Sequence, residues 1–108
     1  MASTASQVNP LNTVRMAVGA YLEDDTAVAV TITLGFTPRY VHVWNETSGD
    51  EEEWNEKMAD AEAFKRVAAG TGALITSNGI TPGTGTFIIG LDTDINVVNE
   101  QMSWIALG

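Results

Sequence analysis

Residues 28–34, VAVTITL, alternate strictly between large aliphatic side chains and alanine or threonine. Successive side chains of a β-strand point to opposite faces of the sheet, so this period of two predicts a strand with one buried and one solvated face. The same alternation returns at residues 39–45, RYVHVWN, and at residues 101–108, QMSWIALG. Counted along the chain, seven or eight short runs of this kind predict an all-β fold, either a small antiparallel β-sandwich or a jelly-roll-like barrel.

The runs and their connections belong to one domain, residues 13–108, because a single core suffices for a chain of 108 residues. Its first strand lies in TVRMAVGAYLEDD, residues 13–25, where Gly19 breaks the phase and predicts a bulge. Residues 48–53, SGDEEE, are expected to form a solvated turn before a short strand in EWNEKM.

Two later segments have other local signals. Residues 59–70, ADAEAFKRVAAG, are rich in alanine and glutamate, and they predict one or two helical turns in a packed connection. Asn78-Gly79 and Pro82-Gly83 are residue pairs that supply tight turns between strands. No helix longer than about three turns is expected anywhere.

Residues 1–12, MASTASQVNPLN, show neither period and predict an extended N-terminal arm. Val8, Pro10 and Leu11 carry apolar surface with which the arm can lie against a neighbouring molecule, while residues 1–6 are expected to stay mobile. The alternative is a loose end without a role. Ordering the arm costs on the order of 1 kcal/mol per residue in backbone entropy, so docking requires such contacts.

Composition excludes several classes of partner. Fourteen acidic side chains against five basic ones give a formal net charge of -9, which repels a phosphate backbone, and we expect no nucleic-acid binding. The absence of cysteine removes disulfides, thiolate nucleophiles and cysteine-bound zinc. No run of eighteen apolar residues and no basic region followed by an apolar segment occurs, so we expect a soluble chain without membrane span or export signal.

Tyr40, His42 and Trp44 share one face of their strand, and His42 is the single histidine of the chain. Two interpretations remain open: the three rings fill the core, or they meet a neighbouring subunit, where aromatic residues contribute most to binding. Catalysis by His42 is disfavoured because no serine stands in a nucleophile-elbow context. We therefore expect no catalytic centre.

Asp92, Asp94 and Asn96 have the one, three, five spacing of a calcium loop. The remainder of that loop fails, since Val97 stands where the sharp turn needs glycine and Ser103 stands where a bidentate glutamate is needed. A polar turn is favoured over a calcium site, and we expect neither a metal nor another cofactor.

The block from ITLGFTPRYVHVWNETSGDEEEWNEKMADAEAF to SNGITPGTGTFIIG, together with the terminal MSWIALG, resembles small structural proteins of tailed-bacteriophage virions. The resemblance covers residues 31–108, and its most specific parts are GFTPRYV at residues 35–41, EWNEKMAD, SNGIT and the terminal strand with Trp104.

That resemblance implies a non-enzymatic capsid decoration or cement protein. It implies attachment to the major capsid protein on the outer surface of the virion, in homo-oligomers for which a trimer is favoured by analogy, after assembly in the host cytoplasm. Two alternatives stay open: a fibre or tail module of a phage particle, and a carbohydrate-binding module that uses exposed aromatic rings.

Overall fold

A computed structural model describes residues 15–23 and 28–108. The strands are β1 Met16–Leu22, β2 Val30–Thr33, β3 Tyr40–Asn45, β4 Glu51–Asn55, β5 Glu62–Arg66, β6 Gly72–Gly83, β7 Thr86–Ile89 and β8 Gln101–Leu107. All neighbouring pairs are antiparallel, and they form one curled sheet, half of a barrel, in the order β1-β8-β3-β4-β5-β6-β7-β2. The all-β fold class is confirmed, and the described residues contain no helix. The predicted arm, with Val8, Pro10 and Leu11, lies outside the described residues.

The inner face of the curled sheet holds the core. Its buried members come from strands far apart in sequence and from the segment before β8: Val41, Val43, Trp54, Ile80, Phe87, Ile89, Ile95, Trp104 and Ala106. The rings of Phe87 and Trp104 meet edge to face, with centroids 5.4 Å apart. Alternation is confirmed for Ile32 and Leu34 in VAVTITL, Val41 and Val43 in RYVHVWN, and Trp104 and Ala106 in QMSWIALG, which lie in this core or pack against it. Val28, at the start of VAVTITL, is 49% exposed.

Gly19 serves close packing, and the predicted bulge is wrong. Seven residue pairs join β1 to β8 without interruption, and Gly19 stands opposite Trp104. A Cβ atom at position 19 would lie 2.5 Å from Cζ2 of Trp104, so the indole ring needs the space that glycine leaves.

The helical turns predicted at residues 59–70 are also wrong, because Glu62–Arg66 is strand β5. This strand pairs with β4 on one side and β6 on the other. A single helical turn would leave most of its backbone groups without internal partners, whereas the two ladders satisfy them and bury Ala63 completely.

The two predicted turns have different outcomes. Pro82-Gly83 ends β6 at a tight hairpin, where Gly85 adopts a φ of 72° before β7 begins. Asn78-Gly79 makes no hairpin and instead lies inside β6, where Asn78 has a φ of 62° and the pairing register with β5 shifts. The left-handed residue lets one long strand bend and change register, as at a β-bulge.

Candidate functional site

The candidate site is the outer face of the sheet, the side opposite the core. The strand registers align one outward-facing residue from each of six strands into a row: Val18, Ile105, His42, Glu53, Phe64 and Leu74. Parallel rows on either side contain Tyr40 and Trp44. Apolar side chains therefore stand at both ends of this face. Its middle is crossed by Tyr40, His42 and Trp44 of β3 with Glu51 and Glu53 of β4, which we call the aromatic band.

Tyr40, His42 and Trp44 lie in that band and are half-buried, while Val41 and Val43 between them fill the core. The rings of His42 and Trp44 stack with centroids 4.1 Å apart and planes 20° from parallel. Of the two interpretations of this row, the structure places the rings on the face away from the core cluster. Contact with a neighbouring subunit stays a prediction.

Polar contacts fix the aromatic band. The hydroxyl of Tyr40 donates to Oε2 of Glu53 at 2.9 Å and lies 3.1 Å from Nδ1 of His42, whose Nε2 lies 3.0 Å from Oε1 of Glu51. Partial burial, and then the hydrogen bond to Glu53, raise the pKa of Tyr40 to about 12, so its hydroxyl stays protonated at neutral pH. Both ring nitrogens of His42 are engaged, so the imidazole is held as a fixed part of the surface.

The β1 end of the outer face is an exposed apolar edge. Met16, Val18 and Leu22 are 61%, 67% and 53% exposed, and we call these three side chains the β1 apolar row. Next to them on β8, Ile105 and Leu107 continue the apolar surface toward the aromatic band. Edge strands of monomeric proteins are usually protected by charged residues, proline or bulges, and β1 has none of these.

A second apolar pair lies at the far side of the band. Phe64 on β5 stands directly opposite Leu74 on β6, and they are 56% and 48% exposed. The adjoining hollow, lined in part by Glu51, Glu53 and Arg66, has a volume of about 110 Å³. Pockets for drug-sized ligands generally enclose about 300 Å³ or more, so this hollow suits a contact surface better than a small-molecule site.

The calcium spacing at Asp92, Asp94 and Asn96 does not produce a shared centre. Lys65 Nζ lies 2.7 Å from Oδ1 of Asp92 and 2.6 Å from Oδ2 of Asp94, so an ammonium group takes the place that a cation would need. Burial opposes the charge of Lys65, but the bonds to the two aspartates outweigh it and raise the pKa of Lys65. Among the described residues, no group of three or more acidic or histidine side chains is arranged to hold a metal ion.

Asn96 instead forms hydrogen bonds that connect segments distant in sequence. It is 1% exposed, its Oδ1 accepts a hydrogen bond from the hydroxyl of Tyr21 at 3.1 Å, and its Nδ2 donates to the carbonyl oxygen of Val28 at 2.7 Å. Residues before β2 and before β8 are thereby tied to edge strand β1.

Glu52 is a buried acidic residue that the sequence did not predict. The solvated turn predicted at residues 48–53 is wrong from Glu51 onward, because Glu51–Asn55 is strand β4. Within that strand Glu51 and Glu53 face outward, whereas Glu52 faces the core. Its side chain is fully buried, and neither carboxyl oxygen has a hydrogen-bond partner among the described residues. Burial, and then the charge of Asp92, raise the pKa of Glu52 to about 8. The signal was available in the sequence, because Glu52 lies two positions before Trp54 and side chains two positions apart on a strand share a face.

No helix among residues 15–23 and 28–108 is long and apolar enough to cross a membrane. Comparison of the chain with protein-family models, with curated proteins and with solved structures finds no match.

Proposed function

We propose that this chain is a non-enzymatic structural protein of a bacteriophage virion, which binds the outer surface of the capsid and neighbouring copies of itself and so decorates or cements the shell. The observation that carries the assembly role is the β1 apolar row on an edge strand. Full burial of such a side chain contributes about 1.5–3 kcal/mol, and each of the three is more than half exposed. Covering the row therefore contributes on the order of 1 kcal/mol per side chain.

The surroundings of the row support attachment to protein. Ile105 and Leu107 extend it toward Tyr40 and Trp44, and aromatic residues are enriched where protein interfaces concentrate their binding energy. The formal net charge of -9 disfavours nucleic acid. The phage setting, with the major capsid protein as partner and the virion as location, rests on the resemblance of residues 31–108 to small virion proteins.

The test is co-sedimentation of the purified chain with shells of the phage that encodes it. Val18→Lys places a charge within the β1 apolar row, and Thr31→Lys places the same charge at an exposed position on the opposite edge strand. We expect the wild type and the Thr31→Lys variant to sediment with shells, and the Val18→Lys variant to bind about tenfold more weakly or worse.

Two results would count against the proposal. A wild-type chain that stays in the supernatant contradicts shell attachment, and equal sedimentation of both lysine variants contradicts a role for the row. Binding to glycans that Trp44→Ala abolishes, without binding to shells, would instead establish a carbohydrate-binding module.

A further inference from the structure

We propose that β1 is a self-pairing seam, at which β1 of a second copy of this chain adds antiparallel to β1 about a twofold axis at Gly19. The inference deepens the proposed function by naming the partner of the edge strand, and it rests on that proposal only for its biological setting. Among the described residues, β1 pairs with β8 alone, so its other edge faces away from the rest of the sheet.

The backbone direction of β1 supports the seam. The carbonyl oxygen of Arg15 accepts from the amide of Gly108, and both backbone groups of Glu23 bond to the segment that leads into β8. In an antiparallel pair, alternate residues direct both their N–H and C=O groups to the same neighbour, so odd-numbered residues of β1 face β8. Met16, Val18, Ala20 and Leu22 therefore direct their backbone groups outward. They are also the residues whose side chains are exposed on the outer face.

A twofold axis at Gly19 pairs each residue that directs its backbone groups outward with a residue of the second copy that also directs them outward. The axis places Met16 opposite the second copy's Leu22, and Val18 opposite its Ala20. These are hydrogen-bonded pairs, because all four residues direct their backbone groups outward. Side chains of the two β1 apolar rows then lie on the same face of one continuous sheet.

Charges at the two ends of the strand favour a second copy as the occupant. β1 itself, MAVGAYL, has no ionisable group except the tyrosine hydroxyl, so copies of a chain with net charge -9 meet there without like charges in contact. The same register places exposed Arg15 of each copy opposite Glu23 of the other. Glu23 is 7% exposed, and its Oε2 has no hydrogen-bond partner among the described residues. The seam therefore brings a guanidinium group beside each Glu23 carboxylate, so opposite charges meet at both ends of the paired strands.

The opposite edge of the sheet, strand β2, presents a shorter strand and less exposed apolar surface for such pairing. β2 has four residues against seven in β1, and its exposed side chains are Thr31 and Thr33. The amide of Leu34 donates to the carbonyl oxygen of Gly85, so by the same alternation Thr31 directs its own amide away from β7. Thr31 is consequently a matched control position for backbone substitutions on β1.

The seam is tested by light scattering after size exclusion, with the full chain at concentrations from about 1 µM to about 300 µM, the range expected for a small interface. We expect a concentration-dependent dimer with twice the chain mass of 11.5 kDa. Ala20→Pro removes an outward amide but leaves the β1 apolar row and the pairing with β8 intact, and proline is tolerated on edge strands. It should weaken the dimer at least about tenfold, while Thr31→Pro should not.

Exchanging the charges at positions 15 and 23 tests the pairing register of the two β1 strands and leaves the sequence of β1 itself unchanged. Arg15→Glu should weaken the dimer about tenfold, and the double variant Arg15→Glu with Glu23→Arg should restore it to within about threefold. A monomer at all concentrations, a trimer, or a dimer that survives Ala20→Pro would overturn the seam. A dimer whose affinity the charge exchange leaves unrestored would overturn the Gly19 register. None of these measurements involves shells, so failure of shell attachment and failure of the seam are distinguished.

Discussion

Burial of Glu52 should make the protein less stable as the pH rises from about 4.5 to about 8. The pKa of this carboxyl rises from 4.5 to about 8 on folding, because burial penalises its charged form. Between these values the folded state holds the proton more tightly than the unfolded state, so the free energy of unfolding falls with increasing pH. Below about pH 4.5 both states are protonated and the penalty is absent, and above about pH 8 both are ionised and the penalty is complete.

The size of the effect follows from the two pKa values. Their separation of about 3.5, at about 1.36 kcal/mol for each pKa unit, corresponds to about 5 kcal/mol across the whole interval. At pH 7 the linkage relation gives about 3 kcal/mol of this loss. Small domains have a total free energy of unfolding of about 5–15 kcal/mol, so the loss is a large fraction of the stability.

Glu52→Gln removes the ionisation and preserves the shape of the side chain. The assay is urea unfolding at about pH 5 and about pH 9, with Asp60→Asn as an exposed acidic control. We expect the Glu52→Gln variant to gain stability relative to the wild type as the pH rises, by several kcal/mol, and the Asp60→Asn variant to follow the wild type. If wild type and Glu52→Gln lose stability in parallel between the two pH values, Glu52 does not ionise from a buried site and the reasoning is refuted.

Three further substitutions test the packing and polar contacts by urea unfolding. Gly19→Ala brings a Cβ within 2.5 Å of the Trp104 ring and should cost about 1–3 kcal/mol, and unchanged stability would contradict the close approach. Asn45 is fully buried, its Nδ2 donates to the carbonyl oxygen of Asp94, and its Oδ1 accepts from the amides of Thr47 and Ser48. Asn45→Ala removes these bonds and should cost about 2–4 kcal/mol, and a loss below about 1 kcal/mol would show that they do not stabilise the fold. Lys65→Met leaves two aspartates without their cation and should cost about 1–3 kcal/mol near neutral pH, and unchanged stability would contradict the ion pairs.

The sequence predicted strands well where side chains of two kinds alternate strictly, and poorly where the residue composition favours a helix. QMSWIALG forms β8 and the central residues of VAVTITL form β2, because their two-residue period matches a sheet that is buried on one side. The alanine and glutamate content of residues 59–70 predicts helical turns, but pairing of β5 with β4 and β6 outweighs that weak local preference. The register of β5, which places Phe64 beside Leu74, depends on partners distant in sequence.

The candidate site was found in part for the same reason. The Tyr40, His42 and Trp44 row was visible as an alternation, but its side of the sheet could not be assigned, because valine on the other face and aromatic rings on this one are both compatible with a core. Glu52 was hidden within a run of acidic residues, which usually lies in solvent, although alternation from Trp54 points it inward. The first strand was predicted within residues 13–25, but its pattern did not show that Met16, Val18 and Leu22 face away from the core.

The two proposals together define the surface that a shell would meet. Pairing of two copies at β1 joins two eight-stranded sheets edge to edge, so both β1 apolar rows lie at the centre of one outer face. Ile105 and Leu107 of each copy extend that centre outward to the aromatic bands, whose far side is formed by Glu51 and Glu53. The result is an apolar centre with acidic flanks, which is the distribution found in stable protein interfaces and is twice as wide as one chain offers.

Weak contacts of a single copy with a repeated lattice then gain from being linked in pairs, because the second copy binds at a high effective concentration. Ala20→Pro, which retains the apolar row but lacks the seam, should therefore bind shells more weakly than the wild type by at least about tenfold, and equal binding would show that each copy attaches on its own.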